Sequence, residues 1–165
     1  MSLRFLSAFT ALLLLAACSS SPQTGGAAGS EGAAGGISAP RPGTQEDLVA
    51  NVGDRVFFDF NKWNVRPDQR ATLDKQAAWL KRFPQVTVTI EGHCDERGTR
   101  EYNLALGAKR AAAAKNYLVA AGINPNRIDT ISYGKERPEV VGSNEDAWRQ
   151  NRRAVTVVKQ PRVGS

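Results

Sequence analysis

The apolar side chains follow two different repeats along the chain, and each repeat predicts one kind of secondary structure. Apolar and polar positions alternate in residues 86–90, VTVTI, which is typical of a half-buried strand. In two longer segments the apolar side chains recur about every three or four residues, which is typical of an amphipathic helix. In chain order, the pattern predicts a strand at 55–60, a helix at 66–83, a strand at 86–90, a helix at 101–121, and strands at 128–133 and 154–158.

The two predicted helices present apolar stripes made of different side chains. The first helix carries Pro67 in its first turn, where proline is well tolerated, and its stripe consists of Leu73, Ala77 and Leu80. The second helix is closed by Gly122, which is suited to a C-terminal cap. Its predicted stripe is mostly small and would let the helix approach its neighbours closely: Leu104, Gly107, Ala108, Ala111, Ala114 and Leu118.

Strands and helices alternate through the first five predicted elements, and this order indicates the fold class. We predict an α/β (α+β) two-layer sandwich in which both helices pack on one face of a mixed β-sheet. The pattern leaves the strand order open. Residues 46–160 have the size of one domain with a single core, and residues 161–165 are left as a short C-terminal tail.

Residues 1–17 have the features of a secretory signal peptide. They carry one charged side chain, Arg4, followed by an apolar run that is too short to cross a hydrocarbon layer of about 30 Å. The run leads into LAAC, which ends at Cys18 and resembles a bacterial lipobox. We therefore expect Cys18 to be lipidated and to tether the chain to a membrane. The alternative is an ordinary cleaved signal followed by an incidental cysteine.

Residues 18–45 form a predicted flexible linker that begins at the lipobox cysteine. They hold seven of the fifteen glycines and almost no large apolar side chains, so they cannot bury enough surface to fold. A flexible coil of this length spans roughly 30 Å, which would let a globular domain reach away from its anchor. A dispensable spacer without a length requirement is the alternative.

The basic composition would ordinarily suggest a nucleic-acid partner. The formal net charge is +6 and the isoelectric point is near 9.7. An exported chain is separated from nucleic acid, so we expect none as a partner. If Cys18 is consumed by lipidation, Cys94 has no second cysteine with which to form an intramolecular disulfide.

The segment EGHCDERGT, residues 91–99, is the candidate for catalytic or metal chemistry because it holds the only histidine of the chain. A metal site usually needs three or four ligands, so His93 would have to be joined by Cys94 and carboxylates. If the preceding strand continues, His93 and Cys94 point to opposite faces, which also separates a cysteine nucleophile from its base. An envelope hydrolase or metal-dependent enzyme using His93, Cys94 and Asp95 is the disfavoured alternative. We expect no enzymatic activity, no metal and no cofactor.

Asp95 and Arg110 form a candidate binding pair of opposite charges. Asp95 follows a predicted strand, and Arg110 shares one face of the second helix with Asn103, seven residues earlier. If this face overlooks the loop, the two charges either form a plain salt bridge or stay apart and bind a zwitterion. In the second case the acid takes an ammonium and the guanidinium takes a carboxylate. The spacing leaves both possibilities open.

Four segments resemble the OmpA-like peptidoglycan-binding domain family in its lipoprotein form. They are VFFDFNKWNVRPDQ, VTVTIEGHCDERGTREYNLALGAKRAAAAKNYL, ISYGKERPEV and NRRAVTVV, in this order after a lipobox and a glycine-rich linker. The resemblance covers roughly residues 55–159. It implies a protein that binds, without covalent chemistry, the diaminopimelate side chain of peptidoglycan stem peptides. The free end of that side chain is a zwitterion.

The resemblance also implies a set of ligand-binding residues. The ligand aspartate of the family matches Asp95 in DERGT, and the ligand arginine matches Arg110 in LGAKRA. The further matches are Phe58 and Asp59 at the first strand, Asn103 and Leu106 on the second helix, and Arg152, which could equally brace the last strand. Cys94 departs from the alanine or threonine expected at its position, which leaves a lone thiol beside the key aspartate.

The resemblance further implies the partners and the location of the protein. The expected partners are peptidoglycan, the periplasmic propeller protein TolB and the other Tol proteins, which act in envelope integrity and cell division. Ser19 follows the predicted lipidated cysteine at a position where an aspartate tends to hold enteric lipoproteins at the inner membrane. Serine in place of aspartate at this position favours the outer membrane as the site of the lipid anchor, with the domain facing the periplasm.

Overall fold

The computed structural model describes residues 39–159. The predicted signal peptide at 1–17, the lipidation site Cys18, the linker up to residue 38 and the tail at 161–165 lie outside the described residues, so these assignments stay predictions. Among the helices of the described part, none has both the length and the apolar character that a membrane crossing requires.

The described part of the chain contains four α-helices and four β-strands. These are α1 (Gln45–Asp47), β1 (Arg55–Phe57), α2 (Pro67–Arg82), β2 (Val88–His93), α3 (Arg100–Ala120), β3 (Ile128–Gly134), α4 (Glu145–Asn151) and β4 (Arg153–Val158). A π-helical turn at Leu48–Val52 continues α1, and a 3-10 turn at Pro125–Arg127 precedes β3.

The strands form one mixed sheet in the order β1-β4-β2-β3. Strand β4 runs antiparallel to both β1 and β2, whereas β2 runs parallel to β3. A parallel pair needs a crossover connection, and α3 supplies it between β2 and β3. The predicted two-layer α/β (α+β) fold with a mixed sheet is confirmed, and the structure adds the strand order that the pattern left open.

Helix α2 packs through its predicted stripe. Leu73, Ala77 and Leu80 are buried, and Pro67 takes the first helical position as expected. The three side chains join a core that also holds residues from the sheet, from α3 and from the segment after β1, among them Val56, Phe58, Val88, Ile90, Ala111, Ala114, Leu118 and Ile128. Burial of this apolar surface is the main force that holds the helix against the sheet.

The predicted stripe of α3 is partly wrong. Leu104 is 44% exposed and Ala108 is exposed, whereas Asn103, Leu106 and Arg110 are buried. Hydrophobicity assigns polar side chains to the surface, but Asn103 and Arg110 are stable inside because they donate hydrogen bonds to backbone carbonyls. The buried face of α3 is therefore rotated towards the loop that follows β2.

Two glycines let α3 approach β2 closely. A Cβ atom added at Gly92 would overlap the carbonyl oxygen of Gly107, and one added at Gly107 would overlap the Ser132 hydroxyl of β3. Beyond the helix, Gly122 has a φ of +95°, which confirms its predicted role as the C-terminal capping residue. The close approach brings the first half of α3 alongside the end of β2.

Three differences from the sequence pattern occur beside the end of β2. Strand β1 ends at Phe57, before the predicted limit, and the chain turns away so that Phe60 is 56% exposed. Strand β2 continues to His93, beyond the predicted limit. Helix α4 was not predicted; Asn144 caps it by accepting a hydrogen bond from the Ala147 N–H at 2.9 Å.

Candidate functional site

A small cavity lies where the end of β2 meets α3 and the loop that follows β1. Its volume is about 20 Å³, which is room for roughly one water molecule. Four of the predicted ligand-binding residues line it, namely Asp95, Asn103, Leu106 and Arg110. The structure therefore brings together side chains from the loop after β2 and from one face of α3, an arrangement that the spacing allowed but left open.

Asp95 is buried at 4% exposure and bonded to two arginines. The Arg97 side chain donates from Nη2 to Oδ2 at 2.6 Å and from Nε to Oδ1 at 3.2 Å. The Arg152 side chain donates from Nη1 to Oδ2 at 3.3 Å. Burial raises the pKa of Asp95, but the hydrogen bonds and charge of Arg97 together outweigh this effect, so the pKa lies below its ordinary value. The carboxylate is therefore ionised at neutral pH.

Arg110 does not pair with Asp95 but is bonded to the backbone. Its guanidinium donates to the carbonyl oxygens of Lys62 at 2.9 Å, His93 at 2.8 Å and Asp59 at 3.2 Å. The residue is 1% exposed. Arg110 thus clamps the loop after β1 against the end of β2, and its remaining N–H groups are those that a ligand could use. The plain Asp95–Arg110 salt bridge is excluded.

Asn103 and Leu106 shape the cavity from the helix side. The Asn103 amide donates to the carbonyl oxygens of Arg97 at 2.7 Å and Thr99 at 3.0 Å, so it fixes the backbone of the loop after β2. Leu106 is 7% exposed and supplies an apolar wall. The loop that presents Asp95 is therefore held in place by the same helix that carries Arg110.

The two predicted residues from the end of β1 take different positions. Phe58 is buried, and its ring centre lies 5.3 Å from the Arg110 guanidinium carbon. The side chain of Asp59 is exposed and accepts from Arg66 at 3.1 Å, while its carbonyl oxygen accepts from Arg110. The Phe58 ring therefore packs against the Arg110 guanidinium, whereas the Asp59 carboxylate pairs with Arg66.

Arg152 makes structural contacts on both sides of its guanidinium, and its predicted role in ligand binding stays a prediction. Its Nε donates to the Phe58 carbonyl oxygen at 3.0 Å, which braces the chain where β1 ends. Of its two terminal nitrogens, Nη1 donates to the Asp95 carboxylate and Nη2 donates to the Glu145 carboxylate at 2.6 Å. Arg152 thus links the core of the sheet to the candidate site.

The geometry gives no support to catalysis by His93 and Cys94. Cys94 is buried, its thiol donates to the Asn103 carbonyl oxygen at 3.3 Å, and burial raises its pKa to about 11. A thiol in this state is protonated at neutral pH, and neither ring nitrogen of His93 hydrogen-bonds to it. Within residues 39–159, no group of three or more histidine, cysteine, aspartate or glutamate side chains could hold a metal ion.

The burial of His93 should make the stability of the domain depend on pH. The residue is 2% exposed, its Nε2 lies 3.5 Å from Glu91 without hydrogen-bond geometry, and burial and the charge of Arg153 lower its pKa from 6.5 to about 4. The unfolded chain takes up this proton near pH 6.5, whereas the folded protein resists protonation down to about pH 4. We therefore expect the free energy of unfolding to fall by up to about 3 kcal/mol over this interval.

Urea unfolding of the wild type and of His93→Gln, at several pH values between 7 and 4, measures the contribution of His93. The variant has no imidazole to protonate, so its stability should fall less over the same interval. An equal fall in both proteins would assign the pH dependence to other groups.

The sequence pattern did not identify three side chains beside Asp95. Arg97 lies within the DERGT segment, and its guanidinium carbon lies 4.0 Å from the ring centre of Phe60 and 3.9 Å from that of Trp148. A signal for Trp148 was present in the asparagine cap and the acidic first turn of α4, Glu145 and Asp146. The proximity of Phe60 depends on the turn after β1, for which the pattern gives no signal.

Comparisons with known proteins agree with this fold. The family model described as the OmpA family matches residues 57–153. A peptidoglycan-associated lipoprotein of Rhizobium meliloti is 58% identical over 123 residues, which are 74% of this chain and 70% of the relative. One of Agrobacterium fabrum is 50% identical over 151 residues, which are 92% of this chain and 85% of the relative.

A solved structure gives the same result. The peptidoglycan-associated lipoprotein of Burkholderia pseudomallei has a TM-score of 0.63 at 43% identity, and the match covers 64% of this chain and 90% of that chain. The family match spans all of the candidate site, from β1 to Arg152. The chain therefore belongs to the OmpA family, and the relatives described above are peptidoglycan-associated lipoproteins.

Proposed function

We propose that the protein is an outer-membrane lipoprotein that binds peptidoglycan without covalent chemistry. The domain recognises the diaminopimelate of stem peptides and, through the lipid on Cys18, anchors the outer membrane to the cell wall. It acts in the Tol–Pal system in envelope integrity and cell division, with TolB and other Tol proteins as partners. The domain faces the periplasm and performs no enzymatic reaction.

One observation carries the binding proposal. Asp95 and Arg110 have opposite charges and line the same cavity, but they bond to different groups and not to each other. Such a pair matches a zwitterion, with the carboxylate on the ligand ammonium and the guanidinium on the ligand carboxylate. The free end of diaminopimelate carries both groups on one carbon, so a single small site accommodates it.

The relatives and the sequence support the rest of the proposal. The relatives with 50% identity or more are named peptidoglycan-associated lipoproteins, which fits a lipid anchor and attachment to the wall. The lipobox at Cys18 and the following Ser19 favour the outer membrane. The Tol partners rest on the family resemblance alone.

A cell-wall pull-down tests the binding proposal. The protein should sediment with isolated diaminopimelate-containing peptidoglycan, with or without EDTA, and should release no soluble wall fragments. Walls with lysine in place of diaminopimelate present the ammonium without its neighbouring carboxylate, so retention on them should fall by about tenfold or more. Equal retention on the two walls would contradict diaminopimelate recognition. Release of fragments would instead support the alternative hydrolase.

A further inference from the structure

The Arg97 side chain fills the space in front of Asp95. Its guanidinium binds the Asp95 carboxylate through two nitrogens, at 2.6 Å and 3.2 Å. The aromatic rings of Phe60 and Trp148 lie at 4.0 Å and 3.9 Å from the guanidinium carbon, well within cation–π range. The cation is thus enclosed by one carboxylate and two aromatic rings.

This enclosure has the chemistry of a cation-binding cage. A carboxylate and two aromatic faces attract a positively charged group, and their attraction is stronger in a partly desolvated site. The ligand in the proposed function carries an ammonium, which would need the same carboxylate. The neighbouring cavity has room for about one water molecule, so it is too small for the free end of diaminopimelate, with its ammonium, carbon and carboxylate, while Arg97 stays in place.

We infer that Asp95, Phe60 and Trp148 form the cage for the ammonium group of the ligand, and that the Arg97 guanidinium occupies this cage in the ligand-free protein. The inference rests on the proposed function and adds two binding residues, Phe60 and Trp148, to it. Arg97 acts as an internal competitor, and the ligand binds only when this side chain has left the cage.

The contacts around Arg97 allow the side chain to leave while the loop stays in place. The Asn103 amide holds the Arg97 carbonyl oxygen at 2.7 Å, so the backbone is fixed from α3. The Arg97 side chain is 30% exposed and lies 4.0 Å from the exposed carboxylate of Glu145, which offers an alternative partner outside the cage. After release, Asp95 keeps its contact with Arg152.

Replacement of Arg97 tests the inference. Isothermal titration of the full-length protein in detergent micelles with a stem tripeptide ending in meso-diaminopimelate gives the Kd of each variant. If the competent state of the wild type is populated at about 20% or less, Arg97→Ala should tighten the Kd by about fivefold or more. Arg97→Gln should act in the same direction. In the Arg97→Ala background, Trp148→Ala or Phe60→Ala should weaken binding severalfold, because each removes a wall of the cage.

Arg100→Ala is the matched control. Arg100 lies three residues further along, pairs with Glu136 at 3.4 Å and is 68% exposed, so its loss removes the same charge without opening the cage. Its Kd should equal that of the wild type. Melting temperatures of all variants show whether each protein is folded.

The possible outcomes separate the inference from the proposed function. If the wild type binds the tripeptide and Arg97→Ala binds it equally or more weakly, Arg97 is not a competitor and the inference is overturned while the function stands. If Arg97→Ala binds and the wild type does not, the inference is supported. If neither protein binds, the proposed function fails and the inference fails with it.

Discussion

Asp95→Asn should abolish retention on peptidoglycan and weaken the affinity for a diaminopimelate tripeptide by about thirtyfold or more. The substitution keeps the shape of the side chain and an oxygen that accepts from Arg97, but it removes the charge that pairs with the ligand ammonium. Truncating one partner of a buried charge pair typically costs about 2 to 5 kcal/mol, which corresponds to this loss of affinity. Titration calorimetry and wall sedimentation measure it directly.

Asp146→Asn provides the control for Asp95→Asn. Asp146 lies on α4 close to the site, has a 79% exposed side chain and pairs with Arg149 at 3.1 Å. The Asp146→Asn substitution removes the same charge outside the cavity, so the affinity of this variant for the tripeptide should match that of the wild type. Wild-type affinity in a well-folded Asp95→Asn protein would exclude Asp95 as the ammonium ligand.

The sequence predicted most of the fold because the long elements have regular apolar repeats. Helix α2 extends over Pro67–Arg82, close to the predicted 66–83, and α3 over Arg100–Ala120, close to the predicted 101–121. Helix α4 has seven residues and no apolar stripe of its own, so its signal was limited to its cap. The strand order depends on hydrogen bonds between distant segments, which no local pattern encodes.

The sequence pointed to part of the candidate site as residues but not to the contacts among them. The spacing placed Asn103 and Arg110 on one face of α3, and both are buried beside the loop that carries Asp95. The bonding of Asp95 to Arg97 and Arg152 depends on side-chain directions and on a segment 57 residues away. These partners determine which groups the Asp95 carboxylate binds, and they can be identified only in the folded structure.

The burial of Arg110 had the least support in the sequence. A charged side chain is almost never fully buried unless its hydrogen-bonding groups have partners. Here the partners are the backbone carbonyls of the loop after β1 and of His93, and they converge on the guanidinium only once this loop has folded against the end of β2. A hydrophobic pattern contains no information about such carbonyls.

Arg110→Ala should lower both the stability of the domain and its affinity for the diaminopimelate tripeptide. The substitution leaves the carbonyl oxygens of Asp59, Lys62 and His93 without their donor. The bond to His93 is buried, whereas those to Lys62 and Asp59 are only partly buried, so at about 1 to 3 kcal/mol for an unsatisfied buried group we expect the free energy of unfolding to fall by about 2 kcal/mol or more. This corresponds to a decrease in Tm of roughly 10 °C for a domain of this size. Urea unfolding and calorimetry measure the two effects separately.

Arg127→Ala isolates the ligand role of Arg110 from its structural role. Arg127 also clamps backbone carbonyls, with Nη2 donating to Leu80 at 3.0 Å and Phe83 at 2.8 Å, but it precedes β3 at the opposite end of the sheet from the cavity. Arg127→Ala should therefore lose stability without losing affinity, measured at a temperature where both variants are folded. Arg110→Ala should in addition lose about thirtyfold or more in affinity, because the ligand carboxylate loses its guanidinium. If the two variants bind the tripeptide equally well, Arg110 is a structural clamp and the carboxylate of the ligand must be held by another residue.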